Sequence, residues 1–429
     1  MAGKKLLIKH AAELITCAGP APKQGPAMGD IGMIPDGALL AEDGRISWVG
    51  PTAALPALDE SQWEVIDAAG QCVLPGFVDS HTHMVFGGYR AEEFFWRLSG
   101  TPYLEILERG GGILNTVEAT RAASLAELKE LAGRRLRSML AMGVTTVEGK
   151  SGYGLDKETE LRQLAVMAEL NREQPVEIVP TFMGAHAVPP EYKGRTDAYV
   201  DYLIAEVLPA VSAQGIAEFC DVFCEQGVFS LAQSRRLLTA AKGLGLKAKL
   251  HADEIVALGG AELAAELEAC SADHLLQASA AGIAALGKKR TVATLLPMTA
   301  FCLREPYARA RAMIDSGVAV ALATDYNPGS CFSHSIPLVA ALAAIQLGMT
   351  PAEVVTALTI NGAAAVNRAD RVGSLEVGKQ ADAVILEYPS HLFLVYHAGM
   401  NLVDKVIKQG QLSWSKADNI DNIHREGKL

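Results

Sequence analysis

Between about residue 74 and residue 370 the chain alternates short apolar runs with amphipathic stretches of helical period, and this alternation narrows its fold more than any other feature. The apolar runs end at His83, Gly149, His186, Glu225, His251, His274, Pro297 and Asp325. Helical stretches lie between most of them, for example over 125–142, 157–171 and 231–244. Strands that alternate with helices through short connections run parallel. Eight such units closing on themselves predict an α/β fold, a (β/α)8 barrel of the TIM type. The alternative is an open doubly wound sheet, but no Gly-x-Gly-x-x-Gly follows the first strand to support it.

The two ends of the chain have a different character. Residues 1–73 are strand-rich, with apolar runs such as 5–8 and 37–40 and a turn at Glu42-Asp43-Gly44-Arg45. After residue 370, Gly373-Ser374-Leu375-Glu376-Val377-Gly378-Lys379 reads as a turn leading into a strand that ends at Leu386, and 403–406 with 411–414 suggests a hairpin. Segments 1–73 and 371–429 are expected to pair into one small β domain flanking the barrel of 74–370. Residues 416–429 are polar and read as an exposed tail.

At 429 residues the chain exceeds one ordinary compact domain unless that domain is a barrel with additions, and its 50% hydrophobic content can fill a large core. Acidic residues outnumber basic ones, 49 to 38, which argues against a general nucleic-acid binder. The seven cysteines form no framework and no Cys-x-x-Cys pair, as in reduced cytosolic proteins. The N-terminal apolar residues are interrupted by Lys9, His10 and Glu13, so no signal peptide is read there, and no stretch is long and apolar enough to span a membrane. A soluble cytoplasmic enzyme is expected.

The chemistry concentrates at the strand ends. His81-Thr82-His83 closes the apolar run 72–80, and residues two apart on a strand point the same way, so both imidazoles would face one point. His251 ends the fifth run and Asp325 the eighth, on the rim where barrel enzymes place their sites. Three imidazoles and a carboxylate suit Zn2+ or Fe2+ with a position left for water. Glu254, three residues past His251, is a candidate to move a proton between that water and a leaving nitrogen; Asp253 reads as structural. His274 is either a further nitrogen ligand or a group that polarises a substrate carbonyl. The glycines Gly110, Gly111 and Gly112 read as a tight turn before a helix, because no Lys-Ser/Thr follows to make a phosphate loop.

With these residues in view, the chain resembles the amidohydrolase superfamily and, within it, the imidazolonepropionase family of histidine degradation. The resemblance is carried by the segment from Pro75 through Asp79 to His83, by Arg109-Gly110-Gly111-Gly112-Ile113 and by Lys150-Ser151-Gly152-Tyr153-Gly154-Leu155. It continues in Gly184-Ala185-His186-Ala187-Val188-Pro189-Pro190, His251-Ala252-Asp253-Glu254 and Thr324-Asp325-Tyr326-Asn327-Pro328-Gly329-Ser330. These motifs run in order along most of the chain. The first is general to the superfamily and the middle ones are more specific.

The resemblance implies a barrel with a small β-sandwich domain built from both termini. It implies hydrolysis of 4-imidazolone-5-propanoate to N-formimidoyl-L-glutamate and a homodimer. It implies one Zn2+ or Fe2+/Fe3+ per chain on His81, His83, His251 and Asp325; the residues themselves offer Glu254, His274 and Asp325 as the catalytic set. It also implies substrate contacts at Arg90, Tyr153, His186, Glu254, Asn327, Gly329 and Ser330, with Arg90 gripping the propionate in bidentate fashion. One segment departs from the pattern: Cys331-Phe332-Ser333-His334-Ser335 stands where a Ser/Thr-Pro-rich stretch is expected. The rival readings are a mononuclear deaminase of the same superfamily, a binuclear enzyme with a bridging carboxylated lysine, and an inactive scaffold on this fold. Strand four, Asp221-Val222-Phe223-Cys224-Glu225, offers no lysine for the binuclear one.

Overall fold

The structure is a computed structural model that describes residues 4–101, 105–106 and 109–418. The N-terminal strands are β1 (Lys5–Ile15), β2 (Met33–Glu42), β3 (Arg45–Pro51), β4 (Glu64–Asp67) and β5 (Cys72–Pro75). Eight strands follow: β6 (Phe77–Asp79), β7 (Val144–Lys150), β8 (Glu177–Ala185), β9 (Phe219–Cys224), β10 (Lys247–Ala252), β11 (Ser271–His274), β12 (Val292–Leu295) and β13 (Val320–Leu322). The chain ends in β14 (Ala383–Leu386), β15 (Val403–Lys408) and β16 (Gln411–Ser415).

Strands β6 to β13 pair in chain order, each parallel to the next, with helices in the connections. The helices Leu125–Ala141 and Leu231–Gly243 begin where Ser124 and Ser230 form capping boxes, and Asp156 caps the helix Lys157–Glu173. The first and last barrel strands meet just beyond their ends. Asp325 N–H donates to His81 O at 3.0 Å and His83 N–H donates to Tyr326 O at 2.9 Å. Thr324 N–H and Oγ1 donate to the Asp79 carboxylate at 3.0 and 2.6 Å. The backbone that closes the barrel is therefore the backbone that carries His81, His83 and Asp325.

The two termini form one mixed sheet, in the order β16-β15-β14-β5-β1-β2-β3, with β4 also on β1. The junction is β14 on β5, Ala383 opposite Pro75. Alternation along these strands serves two cores. Val73, Ala383, Ile385 and Ile407 join Leu6, Ile8, Leu39 and Ile46 in the small core. Cys72, Leu74, Val384, Leu386 and Val406 instead pack into the barrel's core. Ile46 of β3 and Ile407 of β15 share the small core although their strands lie far apart in the order, so the sheet folds back over itself.

Several boundaries differ from expectation. The run 72–83, expected as one strand, breaks at Gly76: β5 belongs to the terminal sheet and β6 to the barrel. A side chain at Gly76 would overlap Thr145, so only glycine lets the chain change sheets there. His81 and His83 consequently lie past a strand of three residues instead of within it. Strand eight ends at Leu322, short of Asp325, and Pro297 opens the helix Pro297–Leu303. Gly110 and Gly112 take φ of 82° and 87° immediately before the helix Ile113–Ala122, which is the tight turn expected of the triple glycine. Of the tail, 419–429 lie outside the described residues. Among the described residues no helix is long and apolar enough to cross a membrane.

Candidate active site

Four side chains converge above the barrel's closing seam. His83 Nε2 lies 3.4 Å from His251 Nε2, and Asp325 Oδ1 lies 3.5 Å from His81 Nε2 and 3.6 Å from His83 Nε2. A tetrahedral ion with bonds of about 2.0–2.1 Å has neighbouring ligands roughly 3.3–3.4 Å apart. These spacings approach that figure. His81 Nε2 is buried with no hydrogen-bond partner among the described residues, as a ligand atom would be. Burial pushes the imidazoles of His81 and His83 well below their ordinary value, so each is neutral and keeps a lone pair. Burial raises Asp325 to about 6, against a hydrogen bond from Thr299 Oγ1 at 2.7 Å. The donor set fits a divalent metal. His274 groups with His81 and Asp325 closely enough to be a further nitrogen donor.

A buried ionic layer holds these donors in place. The pair His81 Nδ1 and Asp273 Oδ2 is 2.6 Å apart, and His251 Nδ1 and Asp221 Oδ2 are 3.1 Å apart, so both rings are left with Nε2 facing the site. Lys150 Nζ donates to Asp221 at 2.7 Å and to Glu148 at 2.9 Å. Lys249 Nζ donates to Glu148 at 3.0 Å and to Ser80 O at 3.1 Å. All five ionic side chains are fully buried. The Asp221, Glu148 and Asp273 carboxylates raise the Lys150 ammonium despite burial, so it stays charged and ion-paired. The sequence reading missed this layer. The available signal was alternation: Glu148 with Lys150, and Lys249 with His251, are two apart on their strands and so share an inward face.

Backbone strain gathers at the same rim. Asp253, His274, Leu275 and Asp325 take φ of 50°, 74°, 60° and 51°. This left-handed conformation is uncommon outside glycine and costs about 1–3 kcal/mol per residue. The loop after β10 is held by Asp253, whose carboxylate accepts from the N–H groups of Leu258, Gly259, Gly260 and Ala261 at 2.9–3.0 Å. Glu225 holds it from the other side, accepting from Ile255 N–H at 2.8 Å. Asp253 is thus a loop organiser, as its position suggested. Glu254 remains free to face the site, with Oε1 3.5 Å from His274 Nδ1. Burial, with the Asp325, Glu225 and Glu305 carboxylates, pushes Glu254 up to about 8.

The donors open into a cavity of about 460 Å³. Arg90, Tyr153, His186, Glu254, His274, Asn327, Gly329 and Ser330 all line it, so every residue assigned to substrate or catalysis reaches one space. His186 Nδ1 donates to Gly152 O at 3.1 Å and burial lowers its pKa to about 3, leaving Nε2 as an acceptor. Its ring stacks on His83 at 4.8 Å. Asn327 bonds within its own loop: it donates to Asp325 O at 2.7 Å and accepts from Gly329 and Ser330 N–H at 2.9 and 2.8 Å. Cys331, Phe332, Ser333 and His334, the departing segment, do not line the cavity. Phe332 packs on Tyr326 at 5.2 Å, and His334 pairs with Ser138 Oγ at 2.7 Å, so this segment braces the loop from outside.

Arg90, expected to grip a carboxylate through both prongs of its guanidinium, is anchored by Glu93: its Nε donates to Glu93 Oε2 at 2.8 Å and its Nη2 to Glu93 Oε1, which leaves it the edge that carries Nη1. Glu93 is held in turn by Gly112 N–H at 2.7 Å. Arg97, which the sequence reading passed over, also lines the cavity.

The model of the family described as "Amidohydrolase family" matches residues 72–413. The chain is 60% identical to imidazolonepropionase of Parabacteroides distasonis, an alignment covering 96% of this chain and 99% of that protein. It is 56% identical to imidazolonepropionase of Clostridium tetani, with the same coverage. Among solved structures it resembles a zinc-bound adenosine deaminase from Xanthomonas campestris, with TM-score 0.68, 20% identity, and 98% and 97% of the two chains covered. It also resembles guanine deaminase from E. coli, with TM-score 0.71, 14% identity, and 96% and 99% covered. At these identities the structural likenesses describe the fold.

Proposed function

The chain belongs to the amidohydrolase family, and on that premise we propose that it hydrolyses 4-imidazolone-5-propanoate to N-formimidoyl-L-glutamate, a step of histidine degradation. The observation that carries this reading is the convergence of three imidazoles and Asp325 on the floor of a cavity that also presents arginine side chains. Identity of 60% and 56% over almost full length to two imidazolonepropionases supports the substrate.

His81, His83, His251 and Asp325 would hold one Zn2+ or Fe2+/Fe3+ per chain. Such an ion supplies Lewis-acid activation of the attacking water. The residues of the chain do the rest. Glu254 in its ionised form takes a proton from the attacking water, whose oxygen bonds to the ring carbonyl carbon. His274, neutral through burial, faces that carbonyl and stabilises the oxygen as charge develops on it. The carbon–nitrogen bond of the ring then breaks, and Glu254 returns the proton to the departing nitrogen. The carbonyl carbon becomes the new carboxylate. Tyr153 and His186 hold the ring, and the loop Asn327–Gly329–Ser330 borders the propionate.

Loss of imidazolone absorbance on adding the purified protein tests the reading, with a panel of deaminase substrates alongside. Ring opening without ammonia release from the panel is expected. Ammonia release from an aromatic base, with the imidazolone untouched, would replace this reading with the deaminase one.

A further inference from the structure

We propose that Glu160, a buried residue that does not line the cavity, is a positioning residue for the reaction: it shapes the loop 151–155 so that Gly152 O fixes which nitrogen of His186 carries the proton; this rests on the hydrolase reading above. Glu160 lies in the first turn of the helix Lys157–Glu173 and is fully buried. Its Oε1 accepts from Gly154 N–H at 2.8 Å and Leu155 N–H at 2.9 Å. Its Oε2 and Oε1 share Gly152 N–H at 3.0 and 3.2 Å. Gln163 takes the amide in between: its Oε1 accepts from Tyr153 N–H at 3.3 Å, while its Nε2 donates to Val85 O at 2.7 Å. Two side chains three apart on one helix face thus collect every N–H from 152 to 155. A buried carboxylate is costly unless hydrogen bonds satisfy it, and here the backbone of the loop does so.

The conformation held this way is a strained one. Gly152 takes φ of 104° and Leu155 φ of 55°, and the second costs about 1–3 kcal/mol for a residue with a side chain. The gain lies on the opposite edge of the loop. The peptide joining Gly152 to Tyr153 points its N–H at Gln163 and its carbonyl at His186 Nδ1, 3.1 Å away. Glu160 holds the amides before and after that peptide, which keeps it from turning over. A Cβ at Gly152 would lie 3.0 Å from His186 Nδ1 and from Met183 O, so the approach is as close as backbone allows. A carbonyl oxygen only accepts, so the His186 proton sits on Nδ1 and Nε2 keeps its lone pair. The imidazolone ring carries an N–H, which is the donor such a nitrogen binds. His186 lines the cavity together with Tyr153, the residue at the tip of the same loop.

The test is a double-mutant cycle on the zinc-loaded enzyme, with metal content measured on each preparation. Glu160→Gln keeps the volume but turns an NH2 group toward backbone N–H donors, so the loop must shift. It should lower kcat/KM for 4-imidazolone-5-propanoate by about 10–100-fold, as a misplacement near 1 Å does, with metal content unchanged. In a His186→Leu background the same substitution should cost no more than about 3-fold, because residues that act as a unit are not additive. Nitrogen-15 spectra of labelled histidine supply a readout independent of turnover, the His186 signal being the one that His186→Leu lacks. Wild type should carry the His186 proton on Nδ1, and Glu160→Gln should show a mixture of the two tautomers. If Glu160→Gln does not fold, Glu160→Asp, which keeps the charge but withdraws it by one methylene, takes its place in the cycle and in the spectra. Equal losses of kcat/KM in both backgrounds overturn the proposal. So does wild type with the His186 proton on Nε2, whatever the variants do. Wild type that leaves the imidazolone ring intact overturns the hydrolase reading instead, and the tautomer spectra still decide whether Glu160 sets His186.

Discussion

Lys249 Nζ donates to the carbonyl oxygen of Ser80 at 3.1 Å, so one buried ammonium ties the strand carrying His251 to the residue before His81. The same nitrogen donates to Glu148 at 3.0 Å. The spacing of the candidate metal donors is thus set partly by a lysine that does not reach the cavity. Replacing it with methionine keeps the volume and leaves Glu148 and Asp273 with Lys150 alone for compensation. Lys249→Met should lower stability by about 3–5 kcal/mol, the cost of breaking a buried ion pair from one side. It should also loosen metal binding. Denaturant unfolding and elemental analysis of one preparation check this, and wild-type values in both would show that the tie is dispensable.

Metal content should depend on His83. Its Nε2 lies within 3.6 Å of both His251 Nε2 and Asp325 Oδ1, so its removal opens one corner of the donor set. Wild type should hold one divalent metal per chain, and His83→Ala should lose both metal and turnover. Two metals per chain in wild type, or normal metal in His83→Ala, would contradict the assignment.

Glu254 should separate catalysis from assembly. Asp253 and Glu225 hold its loop through backbone bonds that do not involve the Glu254 side chain. Glu254→Gln should therefore keep fold and metal while kcat falls by roughly 10²–10⁴-fold, the usual contribution of a general acid–base. A near-normal kcat, together with a His274→Asn variant that keeps metal and is inactive, would transfer the proton role to His274.

Gly329 should tolerate no side chain. A Cβ there would overlap the Arg90 guanidinium, which Glu93 holds fast. Gly329→Ala should displace Arg90 or the loop and reduce kcat/KM by up to about 100-fold, the effect of a misplacement near 1 Å. Metal content should not change. Kinetics equal to wild type would mean that the loop can yield without consequence.

The barrel was legible in the chain because apolar runs of strand length, separated by amphipathic helices, have few other parallel solutions. His81, His83, His251 and Asp325 were legible because each follows such a run. The break at Gly76 was hidden because β5 and β6 are both apolar, and hydropathy does not tell one sheet from another. The ionic layer was hidden for the opposite reason. Glu148, Lys150 and Lys249 look like solvent-facing residues until their mutual neutralisation inside the barrel is seen. Arg97 was hidden by the helix it sits on, where a charged residue after exposed Phe94 and Phe95 reads as surface.

The closing seam of the barrel bears on how the protein matures. The bonds between Thr324 and Asp79 join residues 245 apart in sequence, and three of the four candidate metal donors, His81, His83 and Asp325, stand on the same two segments. A growing chain can complete strands, helices and most of the core before these segments meet. No donor set exists until the last barrel strand has been made and docked beside the first. Contacts of such long range form late and slowly. Capture of a metal by the candidate donors would thus report that the ring has shut, and would favour the shut state by mass action. A chelator present during refolding should trap chains with near-native helix content and an open seam, whereas the same chelator added to finished protein should act only as fast as that seam opens.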